Sequence, residues 1–171
     1  VSPNQKRLAY NENQVLIVQE RDSLATMRFE GHEQLLQDIV FYRGGMCIAT
    51  GSDDQNVKLW NIAQGQCIQT INLNAGSVRS LQMSHHGTLL SVGTNKGCIT
   101  VYCLDTMEKK CALHGHKDTV WSMHFSHDNQ FLISGSVDKK IMIWYLPQQA
   151  LVKKLKLHDA DVQSMSLHST G

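Results

Sequence analysis

Charge of one sign is largely missing from this sequence. Its 171 residues carry 16 Lys and Arg against 15 Asp and Glu, a formal net charge of +1. No basic or acidic excess is therefore available to attract bare DNA or an anionic membrane. No apolar run reaches the roughly 20 residues that a membrane-spanning helix needs. The five cysteines form no C-x-x-C pair and no Cys/His grouping with structural zinc spacing. An odd number of unpatterned thiols reads as reduced and intracellular. No Asn-x-Ser/Thr acceptor occurs, and no segment has a convincing helical period. The glycines build no phosphate loop: Gly44-Gly45, Gly93 and Gly97 are assigned to hairpin turns with no following helix N-terminus to hold an anion.

A period of 42 residues is what the sequence does have. It is carried by Thr50-Gly51-Ser52, Val92-Gly93-Thr94 and Ser134-Gly135-Ser136. Nine residues after each glycine an aromatic side chain closes a β-rich run, at Trp60, Tyr102 and Trp144. A fixed period of this size marks a repeat architecture, whose units stack to share a core. The clearest unit splits into four strand-length pieces, Val120–Ser126, Phe131–Ser136, Lys140–Tyr145 and Val152–Leu157. Asp128-Asn129 and Val137-Asp138 supply turn chemistry between them. Four strands in roughly 40–45 residues predicts an all-β propeller blade.

Gly115-His116, Val120, Phe125-Ser126, Ser134-Gly135-Ser136, Asp138 and Trp144 together resemble one complete WD repeat. Gly31-His32, Phe41, Thr50-Gly51-Ser52, Asp54 and Trp60-Asn61 are similar, with Asn61 where the family often has Asp. The resemblance implies a hydrogen-bonded chain inside each blade, linking His32, Asp54 and Trp60 in one and His116, Asp138 and Trp144 in the other. Thr50 or Ser52, and Ser134 or Ser136, would complete the two chains. The third repeat departs from this pattern, since its equivalents are Asn74, Lys96 and Tyr102, so the internal chain cannot form there.

Strand counting divides the chain into a partial blade over 1–30 (Arg7–Tyr10, Gln14–Val18, Ala25–Phe29), a repeat over 31–72, a degenerate repeat over 73–114 and a repeat over 115–156. Residues 157–171 read as the start of another repeat, with an inner strand at Val162–Leu167. This is about four blades, whereas propellers close with about 4–8 and this family most often with seven. The sequence is accordingly read as a partial WD-repeat propeller, a fragment of a longer protein.

Nine histidines invite a metal reading, above all His114 with His116 and His85 with His86. His116 is assigned to its blade's internal chain, and His85-His86 lies in a hairpin turn equivalent to His127-Asp128. Metal ligation is not expected from these spacings, nor is a cofactor. Asp53-Asp54 are adjacent and point in different directions, unlike an acid/base pair. Cys98 and Cys103, five apart on one strand, face opposite sides and cannot bridge locally. Any Ser-His-Asp set coincides with the blade chains, so catalysis is not expected.

In propellers of this family partners commonly dock near the channel mouth, on residues at the start of each inner strand and just before the turn Asp. By spacing, the resemblance implies Gln37, Arg79, Trp121, Asp161 and Gln163, with Asp53 from the second set. Trp121 and Arg79 stand out because aromatic and Arg side chains dominate interface hot spots. The alternative for Trp121 is inward packing on a neighbouring blade. The run from Ile48-Ala49-Thr50-Gly51-Ser52 through Gln64-Gly65-Gln66-Cys67 to Gly115–Val120 is further similar to the WD-repeat TBP-associated factors. That likeness implies a non-catalytic scaffold in a nuclear transcription-initiation or coactivator complex, with other proteins as partners. A soluble adaptor for short peptide motifs is the alternative. Nucleic acid, membrane and small-molecule substrates are not expected as partners.

Overall fold

A computed structural model describes residues 1–156 and 160–165. The chain divides into two compact units, Val1–Val78 and Arg79–Gly171. The first unit holds a three-stranded antiparallel sheet of β1 (Arg7–Glu12), β2 (Val15–Glu20) and β3 (Thr26–Phe29). It also holds a four-stranded sheet of β4 (Leu36–Tyr42), β5 (Cys47–Ser52), β6 (Asn56–Asn61) and β7 (Gln66–Asn72). The second unit contains two four-stranded sheets. One is β8 (Val78–Met83), β9 (Leu89–Thr94), β10 (Cys98–Cys103) and β11 (Glu108–His114), and the other is β12 (Val120–Phe125), β13 (Phe131–Ser136), β14 (Ile141–Tyr145) and β15 (Ala150–Leu155). In every sheet spatial order follows chain order, so tight turns suffice to connect neighbouring strands.

Burial falls from the second strand of each sheet outward, which explains its composition. All six residues of β5 and all six of β9 are buried, whereas β7 is exposed at six of its seven positions. Strands covered on both faces read as continuous apolar or small runs, here CIATGS and LLSVGT. In the first unit Leu16, Val18 and Phe29 of one sheet pack with Leu36, Ile48 and Trp60 of the other. In the second unit Ile99, Val101 and Leu113 pack with Val120, Leu132 and Trp144. The periodic glycines permit this stacking. A Cβ on Gly93 would lie 3.0 Å from Val120 Cβ, and one on Gly135 would lie 2.5 Å from Val162 Cγ1.

Several sequence expectations are corrected. Gly93 lies inside β9 rather than in a turn, because close approach, not a positive φ, is what requires it. A 3-10 turn, Arg43–Gly45, interrupts the otherwise all-β chain where Gly44 and Gly45 take φ of 65° and 89°. The first sheet's strands extend to Glu12 and Glu20, past the expected Tyr10 and Val18. The outermost strand of the last sheet begins at Ala150, two residues before the expected Val152; its expected end, Leu157, lies outside the described residues. Residues 160–165 form no strand. Their backbone bonds run to the preceding sheet instead, from Val162 N to Ser136 O at 3.1 Å and from Met165 N to Ser122 Oγ at 3.1 Å. The rest of the expected inner strand, 166–167, lies outside the described residues.

Candidate functional site

Two polar chains run through the blades, one in each unit. In the first, the Trp60 indole N–H donates to Thr50 Oγ1 at 2.8 Å. Thr50 Oγ1 is 2.8 Å from His32 Nε2, and His32 Nδ1 is 2.8 Å from Asp54 Oδ2. Thr50 has one hydroxyl hydrogen, and its other acceptor, Lys58 O, stands at 3.4 Å. The shorter bond assigns that hydrogen to Nε2, which leaves the imidazole proton on Nδ1 facing the carboxylate. Asp54 also accepts from the backbone N–H groups of Glu33 and Asn56 at 3.0 and 2.9 Å. One carboxylate thereby ties the strand entry to the β5–β6 turn.

The second chain repeats the arrangement. Trp144 Nε1–H donates to Ser134 Oγ at 2.8 Å, Ser134 Oγ lies 2.8 Å from His116 Nε2, and His116 Nδ1 is 3.1 Å from Asp138 Oδ1. Asp138 accepts from Lys117 N at 3.0 Å and Lys140 N at 3.2 Å, with Lys140 Nζ at 3.6 Å. Of the two hydroxyls the sequence leaves open in each blade, Thr50 and Ser134 take the inner position. Ser52 and Ser136 instead serve the loops, donating to Gln34 O at 3.1 Å and Asp118 O at 3.0 Å and accepting from Asp54 N and Asp138 N. Residues i and i+2 share one face of a strand, so periodicity alone gives no signal to separate them.

Electrostatics follow from burial. The His32 and His116 side chains are 1% and 0% exposed, and those of Asp54 and Asp138 are 4% and 5% exposed. Burial pushes both imidazoles below the ordinary histidine value despite the opposing carboxylates. Burial pushes the two carboxyls up, but hydrogen bonds and the neighbouring imidazoles outweigh it and hold both below the ordinary carboxylate value. A Ser-His-Asp or Thr-His-Asp set of this kind resembles a nucleophilic triad in residue type only. Ser134 and Thr50 are completely buried and already accept a Trp N–H, so no substrate can reach the hydroxyl.

The degenerate repeat substitutes apolar packing for this chain. Val92 and Tyr102 are buried where the other blades place a hydroxyl and Trp, and burial raises the Tyr102 phenol above its ordinary value. Lys96 is exposed, and Thr94 closes the turn through Cys98 N and O at 3.3 Å. Asn74 N bonds to Asn72 Oδ1 at 3.0 Å within its own turn.

The candidate contact residues fall into separate settings. In the first unit the structure joins Gln37 and Asp53, with Gln37 Nε2 donating to Asp53 Oδ2 at 2.7 Å. Gln37 is the extra residue of a bulge between Leu36 and Asp38. In the second unit Trp121 is likewise the extra residue of a bulge between Val120 and Ser122, and is 39% exposed. A bulge re-aims its side chain, which turns this indole toward solvent while Val120 stays buried. Arg79 is half-buried at the start of β8. Asp161 and Gln163 are exposed and line an open depression of about 290 Å³ with Val162 and Ser164. The five cysteines, Cys98 and Cys103 among them, are free thiols.

Comparison with known proteins agrees with this geometry. Residues 23–61, 65–103 and 107–145 match the family model described as "WD domain, G-beta repeat". A guanine nucleotide-binding protein subunit beta from Solanum tuberosum is 32% identical over 133 residues, covering 71% of this chain and 35% of that protein. A chromatin assembly factor 1 subunit FAS2 homolog from Oryza sativa subsp. japonica is 26% identical over 163 residues, covering 85% of this chain and 32% of its own. The chain thus spans about a third of the length of these relatives. A chain of a solved mitotic checkpoint complex superposes with a TM-score of 0.84 at 19% identity, over 92% of this chain and 50% of that one, a likeness of fold. The matched segments make up more than half of the sequence and include Asp54 with Trp60 and His116 with Asp138 and Trp144, so the chain belongs to the WD-repeat family and is a partial β-propeller.

Proposed function

We propose that this chain is part of a non-catalytic protein-interaction scaffold, a subunit of a nuclear multiprotein assembly that acts in transcription or on chromatin. The observation that carries the scaffold reading is the internal commitment of the reactive groups in the two blades that carry a polar chain. Imidazole, hydroxyl and carboxylate hold strands together and are closed to substrate, while Trp121 at the start of β12 is exposed. Membership of the WD-repeat family supports the same reading. The nuclear part rests on the chromatin assembly factor relative and on the likeness to TBP-associated factors; the G-protein beta relative gives it no support. Partner recognition would use Gln37, Asp53, Arg79, Trp121, Asp161 and Gln163.

A second reading, an adaptor that binds short peptide motifs, is favoured by one feature, the outward-turned indole of Trp121. A scaffold buries a large surface, commonly 2,000 Å² or more in permanent complexes, whereas an adaptor relies on a few anchors. Affinity purification from native cells in high salt, followed by mass spectrometry, separates the two. Recovery of a stable set of chromatin or transcription proteins is the expected result. Recovery of salt-sensitive single partners alone would replace the scaffold with the adaptor, and a stable non-nuclear set would remove the nuclear assignment.

A further inference from the structure

The β8–β9 and β12–β13 hairpins are equivalent turns one repeat apart, and between them they gather three imidazoles. The ring centroids of His85 and His127 are 4.4 Å apart, those of His85 and His86 5.3 Å, and those of His86 and His127 6.2 Å. All three residues are exposed. Three imidazole nitrogens bound to one tetrahedral ion at about 2.1 Å place their ring centroids about 5 Å from one another, and the observed separations bracket that value.

The turns beneath the rings are each closed by a pair of hydrogen bonds. Ser84 closes the first turn through Ser84 N to Leu89 O at 2.8 Å and Leu89 N to Ser84 Oγ at 3.0 Å. Ser126 closes the second in the same way, with Ser126 N to Phe131 O and Phe131 N to Ser126 Oγ both at 2.9 Å. The nearest carboxylate in sequence does not compete for the rings through Oδ1, which accepts from Ser126 Oγ at 2.6 Å and Gln130 N at 3.0 Å within the Asp128 turn. Among the described residues no group of three or more His, Cys, Asp or Glu side chains is arranged to hold a metal ion as it stands, so binding requires rotation of these exposed rings about χ1 and χ2.

We propose that His85, His86 and His127 form a three-imidazole site for a first-row transition-metal dication of the Zn²⁺ type, with the fourth position left to water. Nitrogen-only donation selects such ions over Mg²⁺ or Ca²⁺, which take oxygen ligands. The ion would cross-link the hairpins of two successive blades, and binding to the folded state alone would raise stability by mass action. The sequence conceals the site because its third ligand lies 42 residues from the first, far outside any local ligand spacing.

The test is calorimetric titration of the purified, chelator-treated protein with Zn²⁺ near neutral pH, in a Cys67→Ser background that removes the exposed thiol. One ion per chain is expected, with a rise in melting temperature that Mg²⁺ does not reproduce. His127→Ala and, separately, His85→Ala should each weaken binding by more than the roughly 10–100-fold that loss of an outer-shell partner costs. His114→Ala, which alters an exposed histidine at the end of β11, should leave the affinity unchanged. Circular dichroism without metal checks that the variants fold, and two independent variants keep the test decisive. Absence of stoichiometric uptake, or unchanged affinity in a folded His127→Ala or His85→Ala protein, overturns the proposal.

Discussion

The imidazoles of His32 and His116 link folding stability to pH. Burial holds each folded-state imidazole below its ordinary value, so the unfolded chain binds the proton more tightly. The stability they contribute is intact above the ordinary histidine pKa of about 6.5 and drains away as pH falls toward the lower folded value. Asp54 and Asp138 are also held low, and their contribution is lost in the same direction below about pH 4. The melting temperature should therefore fall between neutral pH and about pH 5. A His32→Ala/His116→Ala protein should melt lower at neutral pH but with a flatter dependence over that interval, as read by thermal denaturation at several pH values. A slope parallel to that of the parent would assign the acid sensitivity to other groups.

At the scale of elements, the loops that join second to third strands differ in how they are tied. Gln55, Gly97 and Lys139 occupy the same repeat position, all with positive φ, at 67°, 76° and 65°. The flanking Asp54 and Asp138 carboxylates each bind one backbone N–H of their own turn and one from the segment that enters the sheet's first strand. In the degenerate repeat Lys96 stands there instead, and Asn95 Oδ1 is buried without a hydrogen-bond partner among the described residues. Amide exchange at 95–97 should accordingly be faster than at 53–55 and 137–139, and equal protection would refute the argument. The outer strands share a different device. Their ladders skip Ile68, Lys110 and Val152, again 42 apart, and such bulges twist an exposed edge away from pairing with another chain.

For the molecule as a whole, the useful question is which exposed side chains can supply binding energy. Trp121 combines a large aromatic surface with 39% exposure, and its neighbour Val120 carries the packing that lies against Gly93. Trp121→Ala should weaken a partner complex by about 2 kcal/mol or more if the indole is an interface anchor, while the melting temperature barely changes. Binding constants and melts on the same preparation decide the matter. A large loss of stability with binding intact would make the indole a packing residue.

The 42-residue period and the third blade's missing polar chain were legible in the sequence, because each depends on spacing along the chain. The His32 and His116 chains were legible once the WD resemblance was drawn. Choices among side chains on one face were not legible: Thr50 and Ser52 share an orientation, and only cross-strand packing brings Thr50 to the Trp60 indole. The turning of Trp121 and Gln37 depends on bulges that the ladder registers decide. The meeting of His85 with His127 depends on how two sheets stack, and the absence of a strand at 160–165 on which backbone groups find partners. Local chemistry repeats with the sequence, whereas contact between repeats is decided by the tertiary packing of one sheet on the next.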